Sequence, residues 1–261
     1  MTDAGSHPVT YTGYYGTESR AIHGVVPVEE VIALYVNGQP LVSLMCTPIQ
    51  LEELALGFLF NAGLIETLDD VAVVDVSGGG CVDVWLARSV DIPMIRVVTS
   101  GCSGGTAFEE ALTVHHQVES GLCVTPIQVT SLMDGLARQA LVYHRAGGLH
   151  IAGLVAGERW VCTAEDIGRH NALDKVAGLC LRKGYSTRDT ILLTSGRVSA
   201  EMVQKAARMR VPIVVSRTAP TSLSVQLATA WDITLIGYTR RRSFRVYTGA
   251  QRVGAAATAA A

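Results

Sequence analysis

The sequence predicts an α/β (α+β) protein whose C-terminal half is a mixed sheet flanked by helices. Between residues 149 and 238, apolar segments of strand length alternate with longer segments of helical length. Hydrophobic residues make up 49 % of the 261 residues and charged residues 17 %, which is enough to fill a sizeable core. An Asn-Gly pair between two apolar segments adds a β-hairpin, so we also expect a smaller N-terminal α+β domain.

The N-terminal domain is predicted to span residues 20–124, after a polar, Gly/Tyr-rich arm. Segments 31–36 and 41–45 pair around Asn37 and Gly38, because both central positions of a type I′ turn need positive φ. Thr47-Pro48-Ile49-Gln50 combines a capping Thr, a first-turn Pro and a Gln three residues on, which indicates a helix from Leu51 to about Phe60. The same four letters at 125–128 indicate a second helix to about Tyr143.

The C-terminal domain is predicted to span residues 125–249, before a mobile Ala-rich tail at 250–261. We expect strands at 149–155, 160–163, 190–194, 212–216 and 233–238, with helices at 171–183, 199–209 and 221–231. Ligands of such sheets bind beyond the carboxyl ends of the strands. Three polar clusters, at 163–171, 195–197 and 216–221, fall at those ends and are candidate-site segments.

The overall composition excludes several classes of protein. The formal net charge of -2 gives no global attraction to nucleic acid or an acidic membrane surface. No apolar segment reaches the roughly 20 residues that a spanning helix needs, and residues 1–7 do not resemble a signal peptide. Six cysteines are scattered without a CxxC pair, so we expect reduced thiols in a cytoplasmic protein and no bound metal.

Cys102 is the first candidate for chemistry. It lies in a segment with three glycines, between a strand-like segment at 95–98 and a helix predicted near Ala107. Amides and the dipole of a helix N-terminus favour the thiolate, which is the reactive form. The alternative is a small buried residue in a turn. Cys81, which follows Gly78-Gly79-Gly80, is the second candidate, and the remaining cysteines adjoin apolar segments where cysteines usually pack.

A dense polar cluster covers residues 165–175. Placing so many charged groups at one strand-to-helix turn requires partners, which predicts substrate orientation, proton exchange or a satisfied ion network. The candidate ligand contacts in it are Asp166, Arg169, His170 and Asn171. His150, alone on its strand, is more typical of a core histidine.

Two further segments fit phosphate. Ser195, Gly196 and Arg197 lie between a strand and a helix, where small residues and a guanidinium suit an anion. The basic run 240–242 follows the last strand. Such a run is usually a solvent-exposed face, but at a strand end it also fits a pyrophosphate.

Taken together, these motifs resemble the formate dehydrogenase accessory protein family (FdhD). The resemblance covers about residues 29–250, and its most specific part is Glu165-Asp166-Ile167-Gly168-Arg169-His170-Asn171-Ala172-Leu173-Asp174-Lys175. Supporting pieces are Val36-Asn37-Gly38, Thr47-Pro48, Glu53-Leu54-Ala55-Leu56-Gly57-Phe58-Leu59, Gly148-Leu149-His150, Thr194-Ser195-Gly196-Arg197 and Ala219-Pro220-Thr221.

The resemblance implies a cytoplasmic homodimer with a C-terminal domain similar to the cytidine deaminase fold. It implies that a cysteine desulfurase passes sulfur to a loop cysteine, here Cys102, as a persulfide. Sulfur then reaches the molybdenum of bis-molybdopterin guanine dinucleotide before this cofactor is inserted into formate dehydrogenase. GDP, as a fragment of the cofactor, should bind the same site. The implied cofactor contacts are Tyr238, Thr239, Arg240, Arg241, Arg242 and Ser243.

The sequence departs from the family at one instructive position. Many members carry two loop cysteines as CxxC, whereas Gly105 stands at the second position here. This departure leaves open a cofactor-binding chaperone in which Cys102 is structural. A zinc deaminase requires H-x-E with P-C-x-x-C, and neither is present. A thioredoxin-type oxidoreductase requires a CxxC motif, which this sequence also lacks.

Overall fold

The computed structural model describes residues 5–88, 97–98, 106–107 and 117–254. The helices are α1 (Leu51–Asn61), α2 (Pro126–Gln139), α3 (Leu141–Ala146), α4 (Arg169–Lys183), α5 (Ala200–Arg208) and α6 (Ser222–Ala230). The strands are β1 (Ser6–Tyr15), β2 (Glu18–Pro27), β3 (Glu30–Val36), β4 (Gln39–Cys46), β5 (Val71–Ser77), β6 (Cys81–Leu86), β7 (Val97–Val98), β8 (Thr106–Ala107), β9 (His150–Ala156), β10 (Arg159–Asp166), β11 (Ile191–Thr194), β12 (Ile213–Ser216), β13 (Thr234–Arg240) and β14 (Ser243–Thr248).

The C-terminal half is a six-stranded mixed sheet with the order β10-β9-β11-β12-β13-β14. Strands β11, β12 and β13 run parallel, because α5 and α6 provide the crossover connections between them. Strands β9 and β14 pair antiparallel to β11 and β13. The alternation of strands and helices is therefore as predicted, and β14 is an additional edge strand.

Helices cover both faces of this sheet. Leu136 of α2 packs with Leu193 and Val215 on one face, while Leu173 of α4 and Met202 of α5 pack on the other. The four-residue strands β11 and β12 are buried along their whole length. Strands buried on both faces carry continuous apolar residues rather than an alternating pattern, which is what these two segments contain.

The N-terminal half is a four-stranded sheet, ordered β4-β3-β6-β5, with α1 packed on one face. The predicted hairpin joins β3 to β4, and Asn37 and Gly38 have φ values of 52° and 75°. Those values are the positive φ pair that a type I′ turn requires.

Helices α1 and α4 cross with their backbones in contact. A Cβ atom at Gly57 would overlap the carbonyl oxygen of Asp174, and one at Gly178 would overlap the carbonyl oxygen of Glu53. Only glycine fits at both positions, because any side chain would push the two backbones apart. This reciprocal pair, which we call the glycine crossing, joins the two halves of the chain.

Two predictions about the termini are corrected. The polar segment expected to be a loose arm forms the antiparallel ribbon β1–β2, in which Ser6 pairs with Pro27 and Tyr15 with Glu18. The mobile tail was expected from residue 250, but Ala250–Arg252 form a 3-10 turn, and residues 255–261 lie outside the described residues. Arg252 is buried and forms an ion pair of 2.6 Å with Asp232.

Two predictions about helices are also corrected. Thr125 caps α2 through a capping box with Gln128, as expected, but Thr47 does not cap α1. The N-cap of α1 is Gln50, in the left-handed region at φ 55°. The second helix was expected to continue to about Tyr143 but breaks at Ala140. Within the described residues, no helix is both long and apolar enough to cross a membrane.

Candidate functional site

The polar strand ends meet at one edge of the large sheet. Parallel strands β11, β12 and β13 end at Thr194, Ser216 and Arg240, and β9 begins beside them because it runs antiparallel to β11. Since Asp166 at the end of β10 pairs with His150, the clusters predicted from sequence lie at the same edge. We call this the carboxyl edge.

Hydrogen bonds tie the loops of the carboxyl edge to each other. The Ser195 hydroxyl accepts from the Ile151 amide at 3.0 Å and lies 3.3 Å from Nδ1 of His150. The Ser216 hydroxyl donates to the Gly196 carbonyl at 2.7 Å. These contacts cross from β9 to β11 to β12, so the loops form one surface.

Gly196 brings two of the predicted clusters together. A Cβ atom there would lie 2.7 Å from Cβ of Arg169, so the absence of a side chain lets the 195–197 loop pack onto the first residue of α4. Arg169 is buried at this contact, whereas Arg197 is exposed.

Asp166 is a framework residue rather than an open ligand contact. Its carboxylate accepts from Lys175 Nζ at 2.6 Å, from Asn171 Nδ2 at 3.0 Å, and from the amides of Gly168 and Thr47 at 2.7 and 3.2 Å. Both Asp166 and Lys175 are fully buried. A buried charge requires such compensation. Asp166 and Asn171 therefore position the start of α4 instead of facing a cavity.

Glu165 explains the break in the second helix. Its carboxylate accepts from the amides of Leu141, Val142 and Tyr143 at 2.8–2.9 Å. These are the first amides of α3, which have no partner inside that helix. The side chain from β10 thus caps a new helix start where the local sequence predicts continuation.

A second buried ion network links α4 to α5. Nδ1 of His170 lies 3.0 Å from Oε2 of Glu201, while Lys205 Nζ lies 3.1 Å from Glu201 and 2.7 Å from Asp174. Burial alone would lower the pKa of Lys205, but the charges of Asp174 and Glu201 outweigh it and raise that pKa. His170 also lies 3.5 Å from the hydroxyl of Ser199, at the end of the 195–199 loop.

A cavity of about 340 Å³ opens beside the carboxyl edge. Its wall is apolar and comes mainly from α2, and its polar lining consists of His150, Ser195, Arg217 and Tyr143. Burial, and to a lesser degree the charge of Arg169, lowers the pKa of His150 from its usual value of 6.5. This lowering favours the neutral form of the imidazole. A concave apolar site with a few convergent polar groups is the usual form of a small-molecule site.

The basic hairpin between β13 and β14 extends the edge. Arg240 pairs with Ser243, so Arg240, Arg241 and Arg242 form an exposed tip. Tyr238 lies under the guanidinium of Arg245, 4.3 Å from the ring centroid. Thr239 is fully buried, and its hydroxyl has no hydrogen-bond partner within the described ranges.

Comparison with known proteins decides the family. The model of the FdhD/NarQ family matches residues 27–254. The chain belongs to the FdhD/NarQ family. A protein of Bacillus licheniformis named sulfur carrier protein FdhD is 36 % identical over 230 residues, 85 % of this chain and 87 % of that protein. The protein of the same name from Listeria monocytogenes is 33 % identical, over 89 % of this chain and 92 % of that protein.

A solved structure shares the fold of this FdhD/NarQ protein. It is described as the crystal structure of a putative formate dehydrogenase accessory protein from Desulfotalea psychrophila. The TM-score is 0.83 at 27 % identity, over 95 % of this chain and 99 % of that one. The mixed α+β class is thereby confirmed. The more specific expectation of a deaminase-like C-terminal domain stays a prediction.

The cysteines of this FdhD/NarQ protein differ in their surroundings. The first candidate, Cys102, lies outside the described residues. Cys81 is half-buried at the start of β6, and Cys123 is exposed. Burial raises the pKa of Cys46 to about 12, and the hydrogen bond between the Cys180 and Cys162 thiols, together with burial, raises the pKa of Cys180. Thiols with raised pKa are poor nucleophiles.

Sequence reasoning missed one residue of this region. Glu201 is a polar residue within a predicted helix, and only the fold places it beside His170. Arg217 lies within the predicted cluster 216–221, and the fold places it in the lining of the cavity together with His150. Within the described ranges, no group of three or more His, Cys, Asp or Glu side chains is placed to hold a metal ion.

Proposed function

We propose that this chain is a sulfur carrier for formate dehydrogenase maturation. It accepts sulfur from a cysteine desulfurase as a persulfide on Cys102 and passes it to bis-molybdopterin guanine dinucleotide, its cargo, before the cofactor enters the dehydrogenase. The main support for a cargo-binding site is that four strand-end segments meet at one edge of the sheet, beside a cavity of about 340 Å³. The names of the FdhD relatives support the sulfur-carrying role.

The carboxyl edge has the chemistry that a guanine nucleotide needs. The apolar wall formed by Met133 and Leu136 suits a planar ring, and His150 offers a hydrogen bond to its edge. Arg217 and the exposed tip, Arg240 to Arg242, supply guanidinium groups for phosphate oxygens. The Thr239 side chain is fully buried below this tip, so it supports the hairpin rather than reaching the cargo.

The predicted residues of the start of α4 and of the 195–197 loop position the groups that contact the cargo. Asp166 and Asn171 hold the start of α4 in place, and Gly196 allows the 195–197 loop to approach it. Arg169 and His170 then lie under that loop, where they orient its groups toward the cargo. Ser195 and Arg197 contact the phosphates in this proposal.

The sulfur step is a thiol exchange. The thiolate of Cys102 attacks the outer sulfur of the desulfurase persulfide, so that one S–S bond forms while another breaks. The desulfurase cysteine leaves as a thiolate, and the proton stays on the transferred sulfur. With Gly105 in place of a second loop cysteine, the new persulfide has no adjacent thiol to convert it into an internal disulfide.

Peptide mass spectrometry tests this assignment. We expect incubation with a cysteine desulfurase and cysteine to add the mass of one sulfur atom at Cys102. Cys102→Ser should lose the adduct and leave the client dehydrogenase inactive. Cys123→Ser changes an exposed cysteine of the described chain and should keep both the adduct at Cys102 and the activity of the client dehydrogenase. An adduct on Cys81 would relocate the carrier, and full client activity with Ser at position 102 would refute it.

The second candidate is a cofactor-binding chaperone in which Cys102 is structural. The single loop cysteine favours this chaperone role, because the chain lacks the second thiol that family members with CxxC carry. Labelled sulfur separates the two: a chaperone binds GDP but accepts no label from the desulfurase. In both cases we propose a cytoplasmic homodimer, as the family resemblance implies.

A further inference from the structure

A second cavity, of about 640 Å³, lies at the opposite edge of the large sheet. It is formed by the loop that leads into β11, the end of α5 that leads into β12, and the segment that follows α1. These segments precede the parallel strands, so the cavity is separate from the carboxyl edge. The proposed sulfur transfer and cargo binding use none of its residues.

Three arginines line this cavity: Arg188, Arg208 and Arg210. Within the described ranges, none of the three forms an ion pair with a carboxylate. Among the described residues of the lining, the single carboxylate is Glu66. The lining therefore carries a formal charge of +2, in a protein whose net charge is -2. Like charges gathered without matching counter-charges repel each other, so the arrangement favours a bound anion.

Arg208 is held in place before any ligand arrives. Its Nε donates to the Phe60 carbonyl at 3.1 Å, and its Nη2 donates to the Ile65 carbonyl at 3.3 Å. The guanidinium also lies over the Phe60 ring, 5.3 Å from the centroid. A guanidinium fixed in this way loses little conformational entropy on binding.

Arg188 and Arg210 are on two loops that are joined to each other. The Thr187 hydroxyl donates to the Met209 carbonyl. Thr187 directly precedes Arg188, and Met209 directly precedes Arg210, so this hydrogen bond joins the two loops beside their arginines. Arg210 follows α5 with φ 56°, in the left-handed region where glycine is usual. A non-glycine residue is disfavoured in this region, and the fold accepts that cost while placing a charge at the cavity.

The rest of the lining suits a ligand larger than a simple ion. Hydroxyls of Thr67 and Ser186 add donors, the half-exposed ring of Tyr185 offers a stacking surface, and Leu68 and Leu181 add apolar area. The volume is within the roughly 300–1,000 Å³ of small-molecule sites. Because planar guanidinium groups bind phosphate oxygens in pairs, we propose that this cavity binds a phosphorylated small molecule of about nucleotide size.

Calorimetric titration of the full chain with inorganic pyrophosphate tests this inference. We expect two classes of site, one at the cavity and one at the carboxyl edge. Arg188→Gln with Arg210→Gln should weaken the first class at least about tenfold and leave the second, while Arg240→Gln with Arg242→Gln should do the reverse. Arg159→Gln, an exposed arginine at neither place, should change neither.

The same titrations separate failure of this inference from failure of the proposed function. An unchanged isotherm for the Arg188/Arg210 variant, with circular dichroism as in the wild type, overturns the cavity site whatever the Arg240/Arg242 variant does. Succinate supplies two carboxylates but no phosphate, and we expect it to bind the cavity at least about tenfold more weakly. Equal binding of succinate and pyrophosphate would overturn the assignment to phosphorylated ligands.

Discussion

The ammonium of Lys175 lies 2.6 Å from Oδ2 of Asp166, with both side chains fully buried between the two halves of the chain. Lys175 also donates to the carbonyls of Thr47 and Glu165, at 3.0 and 3.2 Å. One amine thus joins the segment before α1, the end of β10 and the start of α4. The contact is part of the fold, and it fixes the position of residues at the carboxyl edge.

Lys175→Met should unfold the protein much more easily. It leaves the Asp166 carboxylate buried without its counter-charge, which costs about 3–5 kcal/mol. Urea denaturation measures the loss. Lys183→Met, at the exposed end of the same helix, should change the free energy of unfolding by less than about 0.5 kcal/mol. A similar small effect at both positions would contradict the structural role of the pair.

The two Thr-Pro-Ile-Gln segments should respond differently to Thr→Val. At Thr125 the change removes a helix cap and costs about 1 kcal/mol. At Thr47 it removes the acceptor of the Ile167 amide, which lies 3.2 Å from the hydroxyl, and the loss is about 1–3 kcal/mol. Thr47→Ser keeps the acceptor and should recover most of the stability in thermal unfolding. Failure of Ser to do so would show that the hydroxyl is not the cause.

Stability should fall on the acid side because of His150. Burial and the nearby Arg169 charge lower the pKa of this imidazole in the folded state, so the unfolded chain binds the proton more readily. The stabilisation that the neutral His150 gives to the folded state is complete above the unfolded pKa of 6.5, and it is lost as the pH falls below that value. The difference in unfolding free energy between His150→Gln and the wild type should therefore shift in favour of the variant between pH 7 and pH 5. A constant difference would contradict the lowered pKa.

GDP should bind at the carboxyl edge and depend on the basic tip. Arg240→Ala with Arg242→Ala removes two exposed guanidinium groups and should weaken GDP binding about tenfold or more at low salt. Arg159→Ala, on the far end of β10, is the matched control. Calorimetry in 50 and 200 mM salt measures both affinity and screening. An affinity that matches the control would remove the tip from the proposed cargo site.

Local patterns predicted the elements that local chemistry determines. The hairpin at Asn37-Gly38, the cap at Thr125 and the strand–helix alternation after residue 149 all depend on neighbours in the sequence. From these elements the meeting of the polar strand ends at one edge also follows, because parallel strands end on the same side.

The wrong predictions concern residues whose contacts are with residues far away in the chain. Thr47 has every feature of a helix cap, but Ile167, 120 residues later, uses its hydroxyl. Helix α2 ends early because Glu165, on another strand, binds the amides of the next turn. The ribbon β1–β2 lacks a strongly alternating apolar pattern, since most of its residues are exposed on both faces. The ion network at 165–175 was one of three alternatives that the sequence left open, and it accounts for Asp166 and Asp174.

The glycine crossing bears on how the chain folds during synthesis. Gly57 and Gly178 belong to helices more than 100 residues apart, and each needs the backbone of the other helix in place. A ribosome takes on the order of 10 s to add the residues between them, at roughly 5–20 residues per second. During that time one face of α1 is exposed, and the carbonyl oxygens of Met45 and Thr47 lack the hydrogen bonds that Asn171 and Lys175 of α4 will donate. The packing of the N-terminal half is therefore complete only after α4 has left the exit tunnel.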